Sequence, residues 1–287
     1  MIVVKLKGGL GNQMFQYAAG RALACRAGTE LLLDTRGYGP AYNREFGLQK
    51  FRIAARTATM AELAAWPQWQ RAPCKWLQRA GIRTRRYREL TFRFDPDWYS
   101  LGDGLYLEGY FQSAKYFDDI RKILLEDFQL ATPRSAPVQR IADSAANSDS
   151  VMLHVRRGDY VSNPKAAAHM GACSPAYYRK AVAMIGSAVR NPQYFVFSDD
   201  IDWVRESLPL PGSPVYVSGH LDSPEIDLML MAQCRHHIMA NSSFSWWGTW
   251  LSEHVSGMVI APKLWFARDN ERIEDIFCPN WLRLSSA

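Results

Sequence analysis

Two arginines, a glycine and an aspartate close an apolar run in Val151-Met-Leu-His-Val-Arg-Arg-Gly-Asp-Tyr160. Two guanidinium forks side by side suit a diphosphate, because each can donate paired N–H···O bonds to a phosphate. Gly158 allows a sharp turn or a close approach, and Asp159 can orient an arginine or take part in chemistry. The plainer reading is an internal Arg–Asp salt bridge at a strand end. Ser198-Asp199-Asp200-Ile201-Asp202 is a second polar cluster. Its carboxylates could hold Mn²⁺ or Mg²⁺ as hard oxygen ligands, or Asp200 and Asp202 could simply cap Ile201–Ser207. No His or Glu completes a ligand set, and a metal would duplicate the arginines, so a metal-free site is expected. The third cluster, Asn241-Ser242-Ser243-Phe244, offers hydroxyls and amides at the start of a helix, a natural anion site. Arginines and a helix start together ask for a phosphorylated ligand.

These clusters need strands to carry them. Five mostly apolar residues before Arg156 read as a buried parallel strand, and open α/β sheets bind ligands at strand carboxyl ends. Tyr194–Phe197, Val215–Val217, His236–Ala240 and Val255–Ala261 read as further strands. Helices are expected from Pro175 to Val189 with Ser174 as cap, from Pro224 to Gln233 with Ser223 as cap, and over Phe244–Glu253. The connection after Asp159 runs as a loop through Asn163-Pro164. The second half is therefore a doubly wound, Rossmann-like domain. Trp246 and Trp250 share a helix face at i, i+4, a spacing that points to core rather than to a sugar platform.

The first half opens with strand Ile2–Leu6, the turn Gly8-Gly9-Leu10-Gly11, helix Asn12–Ala27 closed by Gly28, and strand Glu30–Asp34. The turn's amides and the helix dipole would face whatever binds there. A dinucleotide fingerprint with Asp34 on the ribose fails for want of the third glycine, and Gly-Lys-Ser/Thr of a P-loop is absent. Leu105–Gln112 reads as a strand entering a polar turn, and Tyr116–Phe128 as an amphipathic helix. Thr59–Trp66 starts a helix that Pro67 breaks. Residues 131–150, with two prolines and five serines or threonines, read as a linker carrying one short helix. It separates an N-terminal domain (1–140) from a C-terminal one (150–287).

The chain has 287 residues, 48% hydrophobic, with a net charge of +6. No basic block interleaved with aromatics marks a nucleic-acid partner. Lys75, Arg79, Arg83, Arg85 and Arg86 form a basic run, read as a solvated face or as contact with a membrane or lipid-linked substrate. Five scattered cysteines without CxxC or zinc spacing read as reduced thiols of a cytosolic protein, and no signal or membrane span is visible.

The chain resembles the bacterial α-1,2-fucosyltransferases of glycosyltransferase family 11. The resemblance rests on Gly8-Gly-Leu-Gly-Asn-Gln-Met-Phe-Gln-Tyr-Ala-Ala-Gly20, Leu107-Glu-Gly-Tyr-Phe-Gln-Ser-Ala-Lys-Tyr-Phe117, His154-Val-Arg-Arg-Gly-Asp-Tyr160, Phe197-Ser-Asp-Asp200 and Asn241-Ser-Ser-Phe-Ser-Trp-Trp-Gly248. Residues 50–100 match least, and acceptor choice is expected there. The resemblance implies a GT-B-like α/β architecture: two Rossmann-like domains with a cleft between them, the C-terminal half binding the donor. It implies inverting transfer of fucose from GDP-β-L-fucose to the 2-OH of a terminal galactose on a glycan, with no cofactor and no metal. The enzyme would work in the cytoplasm, peripherally at the inner membrane if the basic run contacts lipid.

By the same resemblance the donor site comprises His154, Arg156, Arg157, Asp199, Asp227, Ser242, Ser243, Phe244 and Gly11. Arg156 would hold the diphosphate and Asp227 would read guanine, since a carboxylate accepts from both N1–H and N2–H. Asn12 would face the reaction centre, and Tyr110 and Gln112 would lie on the acceptor side. Related core α-1,6 enzymes carry a glutamate base where this chain has Asn163-Pro164, so Asp159 is the candidate base. Alternatives are a GDP-fucose transferase of α-1,6 or α-1,3 regiochemistry, a nicotinamide oxidoreductase, and a non-enzymatic nucleotide- or glycan-binding module.

Overall fold

The computed structural model describes residues 1–39, 42, 44–64, 85–217, 223–254, 256–267 and 274–286. The basic run from Lys75 to Arg83, and the end of the expected helix at Ala65–Trp66, lie outside the described residues. The chain forms two compact units: Met1–Ala131 with Ile273–Ile276, and Thr132–Arg272 with Phe277–Ala287.

The first unit is built on a parallel sheet of five strands, β1 (Ile2–Lys5), β2 (Leu31–Asp34), β3 (Arg56–Thr57), β4 (Arg86–Arg88) and β5 (Leu105–Glu108), in the order β3-β2-β1-β5-β4. Helix α1 (Leu10–Ala27) packs against β1 and β2, and Gly28 ends it in the left-handed conformation, φ 59°. That helix is buried nearly all round, which is why its polar Gln13 and Gln16 are fully enclosed. They act as struts. Gln16 accepts from Lys7 N (2.9 Å) and donates to Gly109 O (3.1 Å); Gln13 donates to Gly8 O and Glu45 O and accepts from Gly47 N. β3 and β4, two and three residues long, carry too little periodicity to read from sequence. β5 stops at Glu108 rather than at Gln112, because Phe111 takes φ +53° and turns the chain. The expected helix Tyr116–Phe128 is broken into 3₁₀ turns at Ala114–Tyr116 and Asp118–Ile120 followed by helix Arg121–Asp127.

The second unit holds β6 (Asp149–Val155), β7 (Pro192–Ser198), β8 (Val215–Val217), β9 (His236–Ile238), β10 (Val259–Pro262) and β11 (Leu282–Leu284), all parallel, in the order β11-β10-β9-β6-β7-β8. The central β6 is buried from Ser150 to Val155, as its apolar run requires. Helix Pro175–Ala188 starts as expected, Ser174 Oγ accepting from Tyr177 N at 3.2 Å. Ser223 precedes Pro224–Gln233 but makes no side-chain cap. The short helix expected within residues 131–150 is Ala136–Ala146, which buries Val138, Ala142 and Ala145 and packs on Pro224–Gln233 within the second unit. Its small apolar residues recur at helical spacing, and that pattern outweighs the loop-like composition. The expected loop at Asn163-Pro164 is the junction of two short helices, Gly158–Ser162 and Pro164–His169. Asn163 caps the second through Lys165 N and Ala166 N.

Trp246 and Trp247 are fully buried, and Trp250 and Trp281 nearly so, which makes the tryptophan stripe core. Gly248 lets that helix meet its neighbour closely, since a Cβ there would stand 2.7 Å from Met231 Cβ.

Candidate functional site

Register aligns the two charged clusters of the second unit. His154 pairs with Phe197 and Val155 with Ser198, so β6 and β7 end in step. Arg156-Arg157 and Asp199-Asp200 therefore leave the sheet side by side, and four contacts hold the arginines. Arg156 Nη2 donates to Asp159 Oδ1 (2.5 Å) and Nη1 meets Asp199 Oδ2 (2.9 Å). Arg157 N donates to Asp199 Oδ1 (2.9 Å) and its Nε to Asp200 Oδ2 (3.0 Å). The Arg157 guanidinium also lies 3.9 Å from the centroid of Trp203, a cation–π contact. Gly158 leaves room for this arrangement. Any Cβ would fall 2.4 Å from Asp199 Oδ2 and push apart the carboxylate that bridges both arginines.

The salt-bridge reading of the motif is thus geometrically present, in a form that fixes both guanidinium planes. Burial would lower the Arg156 pKa, but the Asp199 and Asp159 carboxylates raise it above its ordinary value. A guanidinium has five N–H donors; the carboxylates hold the fork without using all of them. Asp159, the candidate base, is paired with Arg156 and orients it. Asp200 also caps Ile201–Ser207 through Trp203 N, and the exposed Asp202 pairs with Arg205. Each aspartate of the candidate metal cluster therefore has a cationic or backbone partner. Among the described residues no group of three His, Cys, Asp or Glu has metal-site geometry.

Ser242 and Ser243 follow β9 and open helix Ser243–Trp250. Ser242 Oγ caps it by accepting from Phe244 N at 3.3 Å. Asn241 does not offer a free amide: its Nδ2 donates to the carbonyls of Met170, Gly171 and Trp265, and its own carbonyl accepts from Tyr160 OH. It ties the Ser-Ser turn to the arginine segment instead. The ring of Phe244 stands 5.9 Å from that of His154.

His154 is 5% exposed and its Nδ1 is buried without a partner. Burial, then Arg156, pushes its pKa down to about 3, so the ring is neutral. On helix Pro224–Gln233, Asp227 Oδ1 is likewise buried and unpartnered. Burial, then the neighbouring Glu225 carboxylate, pushes Asp227 up to about 7. A buried carboxylate oxygen without a donor is costly; it marks a place where a ligand's N–H can go.

In the first unit two tyrosines engage the first glycine of the turn. Gly8 N donates to Tyr42 OH (3.0 Å), and Tyr38 OH donates to Gly8 O (2.8 Å). Asp34, the rejected ribose partner, is engaged by Arg36 and by Tyr106 OH. Asn12 and Gln112, a hundred residues apart, meet directly: Gln112 Nε2 donates to Asn12 Oδ1 at 2.8 Å. Gly11 is buried in the first turn of α1, and Tyr110 packs on Phe92 with its ring 3.9 Å below Lys7 Nζ.

Sequence reasoning missed Glu89. Its carboxylate accepts from Tyr110 N (2.7 Å) and from Phe111 N (3.0 Å to the nearer oxygen), holding the turn after β5. Burial raises its pKa, with the amides of Phe111 and Tyr110 and the Lys7 charge pulling the other way. Nothing local marks Glu89, because its partners lie about twenty residues downstream.

Comparison with known proteins bears on this geometry. The family model described as "Glycosyl transferase family 11" matches residues 1–285. An "Alpha-1,2-colitosyltransferase" of Escherichia coli is 33% identical over 99% of both chains. The "Galactoside 2-alpha-L-fucosyltransferase Sec1" of Mus musculus is 26% identical over 88% of this chain and 64% of its own. The crystal structure of "fucosyltransferase NodZ from Bradyrhizobium" superposes with a TM-score of 0.52, covering 86% of this chain and 92% of that one at 14% identity, a likeness of fold alone. The α/β fold with two parallel sheets is accordingly GT-B-like, and the protein belongs to glycosyltransferase family 11.

Proposed function

We propose that the chain transfers L-fucose from GDP-β-L-fucose to the 2-OH of a terminal galactose, with inversion and without a metal. The observation that carries this reading is the pair of guanidiniums fixed by Asp159, Asp199 and Asp200 at the carboxyl end of the central strand β6. Glycosyl transfer passes through an oxocarbenium-like state while negative charge builds on the departing GDP. Donors already held in place act on that charge without reorganising during the reaction. Arg156 and Arg157 keep unused N–H groups for the diphosphate, and the Ser242–Phe244 turn adds the start of a helix. Asp227 offers its unpartnered oxygen to guanine N1–H and N2–H, and the neutral His154 lies beside Phe244. Asn12 and Gln112 position the acceptor. Asp159 is the candidate general base, and its pairing with Arg156 would have to open for it to take the acceptor proton.

Two relatives bear on regiochemistry and donor. One relative acts as an α-1,2-colitosyltransferase and another as a galactoside 2-α-L-fucosyltransferase, which favours α-1,2 linkage over α-1,6 or α-1,3. Colitose is fucose lacking its 3-hydroxyl, so a GDP-linked colitose is the specific rival donor. The test is incubation with GDP-fucose or GDP-colitose and a panel of β-galactosides, following GDP release, product mass and the anomeric coupling of the product. Transfer of fucose to O2 with inversion is expected. Preference for GDP-colitose would reassign the donor, and GDP binding without transfer to any acceptor would leave a binding module. No helix among the described residues is long and apolar enough to cross a membrane. Work at a membrane surface would rest on the basic run, and vesicles of anionic lipid would test it by co-sedimentation.

A further inference from the structure

We propose that Lys7 is an acceptor-binding residue whose ammonium donates to the hydroxyl oxygens of a neutral sugar at the carboxyl edge of the first sheet. This rests on the reading of the chain as a transferase acting on a glycan. Lys7 follows β1, Tyr110 follows β5 and Glu89 follows β4. These are adjacent strands of one parallel sheet, so the three residues leave it at the same edge, the edge where such sheets bind ligands.

What distinguishes Lys7 is how it is held. Lys5 pairs with Glu108, Arg36 with Asp34 and Arg86 with Glu108. Lys7 Nζ instead sits 3.9 Å over the Tyr110 ring, and among the described residues no oxygen accepts from it. Burial lowers its pKa, only partly offset by the Glu108 and Glu89 charges. A half-buried ammonium with its three donors unused is an incomplete site, and its position is enforced from beneath. Glu89 grips the amides of Tyr110 and Phe111 and keeps the non-glycine Phe111 at φ +53°, a conformation that costs energy unless something fixes it. The grip also needs Gly109, because a Cβ there would lie 2.6 Å from Glu89 Cβ.

Asn12, in the helix that opens after the same turn, is a second donor, as its carbonyl side alone is engaged among the described residues. Asn12 commits its carbonyl to Gln112, and its Nδ2 lies over Gly8, 2.6 Å from where a Cβ would be. The field at the ammonium is mixed in sign, with Glu108 and Glu89 favouring its charge and Lys5 and Arg88 opposing it. The ammonium is a charged donor, and it is the galactose acceptor of the proposed reaction that makes its partner a hydroxyl oxygen. Glu89, with both carboxylate oxygens already bonded to backbone amides, is a positioning residue here.

The experiment compares wild type, Lys7→Met and Lys7→Arg with GDP-fucose at saturation, using methyl β-D-galactoside and methyl β-D-galacturonide as acceptors. A hydrogen bond from a charged donor typically corresponds to about tenfold or more in affinity. Lys7→Met should therefore raise the KM for the galactoside about tenfold, with kcat within about threefold and GDP affinity by calorimetry unchanged. Lys7→Arg should lie between. Glu89→Gln should raise the same KM while leaving GDP affinity alone; equal loss of both would mark a general structural defect and remove the positioning role. An unchanged galactoside KM in Lys7→Met, with wild type active, overturns the assignment, and so does a loss confined to the galacturonide. If wild type transfers to neither acceptor, the proposed function falls and takes the Lys7 site with it.

Discussion

The carboxyl edges of the two sheets arrange charge in opposite ways. At the β6–β7 edge, side chains neutralise side chains: two guanidiniums and three carboxylates form one lattice, and an anion arriving there meets donors already aligned. At the β1–β5–β4 edge, side chains satisfy backbone: Glu89 holds two amides, Gln16 holds Lys7 N and Gly109 O, and a side-chain amide pair joins Asn12 to Gln112. The first arrangement suits a charged leaving group, the second the shape and hydroxyls of a neutral sugar. The contrast teaches that one parallel topology can serve either chemistry, according to the residues that come directly after each strand.

The largest expected break of this contrast is Arg156→Lys. A point charge on a flexible stem cannot keep both Asp159 and Asp199 in a fork. Transition-state charge on GDP should then lose about 3 kcal/mol of stabilisation, roughly a hundredfold in kcat. GDP-fucose Kd should move little, because Arg157 and the Ser242 turn remain. Calorimetry beside steady-state kinetics reads the split. Collapse of affinity with normal saturating turnover would make Arg156 an anchor only.

Asp227→Asn should weaken GDP binding about tenfold with a modest effect on kcat, since an acceptor facing guanine becomes a donor. Unchanged affinity would place the base elsewhere. The same residue sets a pH dependence. At about 7 in the folded chain, against an ordinary 3.8, Asp227 takes up a proton as pH falls through 7. GDP affinity should therefore decrease roughly tenfold per unit below that point. Its contribution to stability runs the other way: present below about 4, it is lost as pH rises through about 7, and Asp227→Asn should flatten that slope in apo-protein melting. A flat affinity profile from about pH 8 to about pH 6 would contradict the buried carboxylate.

Gln112→Ala removes a neutral hydrogen bond to Asn12 worth about 1 kcal/mol. A fall of about fivefold in kcat/KM for the acceptor is expected, with GDP affinity unchanged; a loss of GDP affinity would erase the distinction between the two edges. The smallest effect concerns metal. If fixed guanidiniums do the work of a cation, EDTA should leave activity within about twofold. Loss restored by Mn²⁺ would return Asp199 and Asp200 to a ligand role.

The sequence by itself determined the alternation of strands and helices in the second unit, because its strands are apolar runs and two of its helices carry Ser-Pro starts, both local signals. The arginine, aspartate and Ser-Ser clusters were legible for the same reason: each is a charged or polar break at the end of an apolar run. Only the tertiary structure decided how those groups are used. Asp199 bridges both arginines because β6 and β7 end in register, a relation across more than forty residues that spacing does not encode, whereas the Arg156–Asp159 pair is local. Asn241 acts as a tie through the carbonyls of Met170, Gly171 and Trp265. Glu89 and Lys7 stayed silent for a related reason. A lone carboxylate after a three-residue strand and a lysine before a glycine turn carry no local pattern, and their meaning comes from parallel strands that bring three distant turns to one edge.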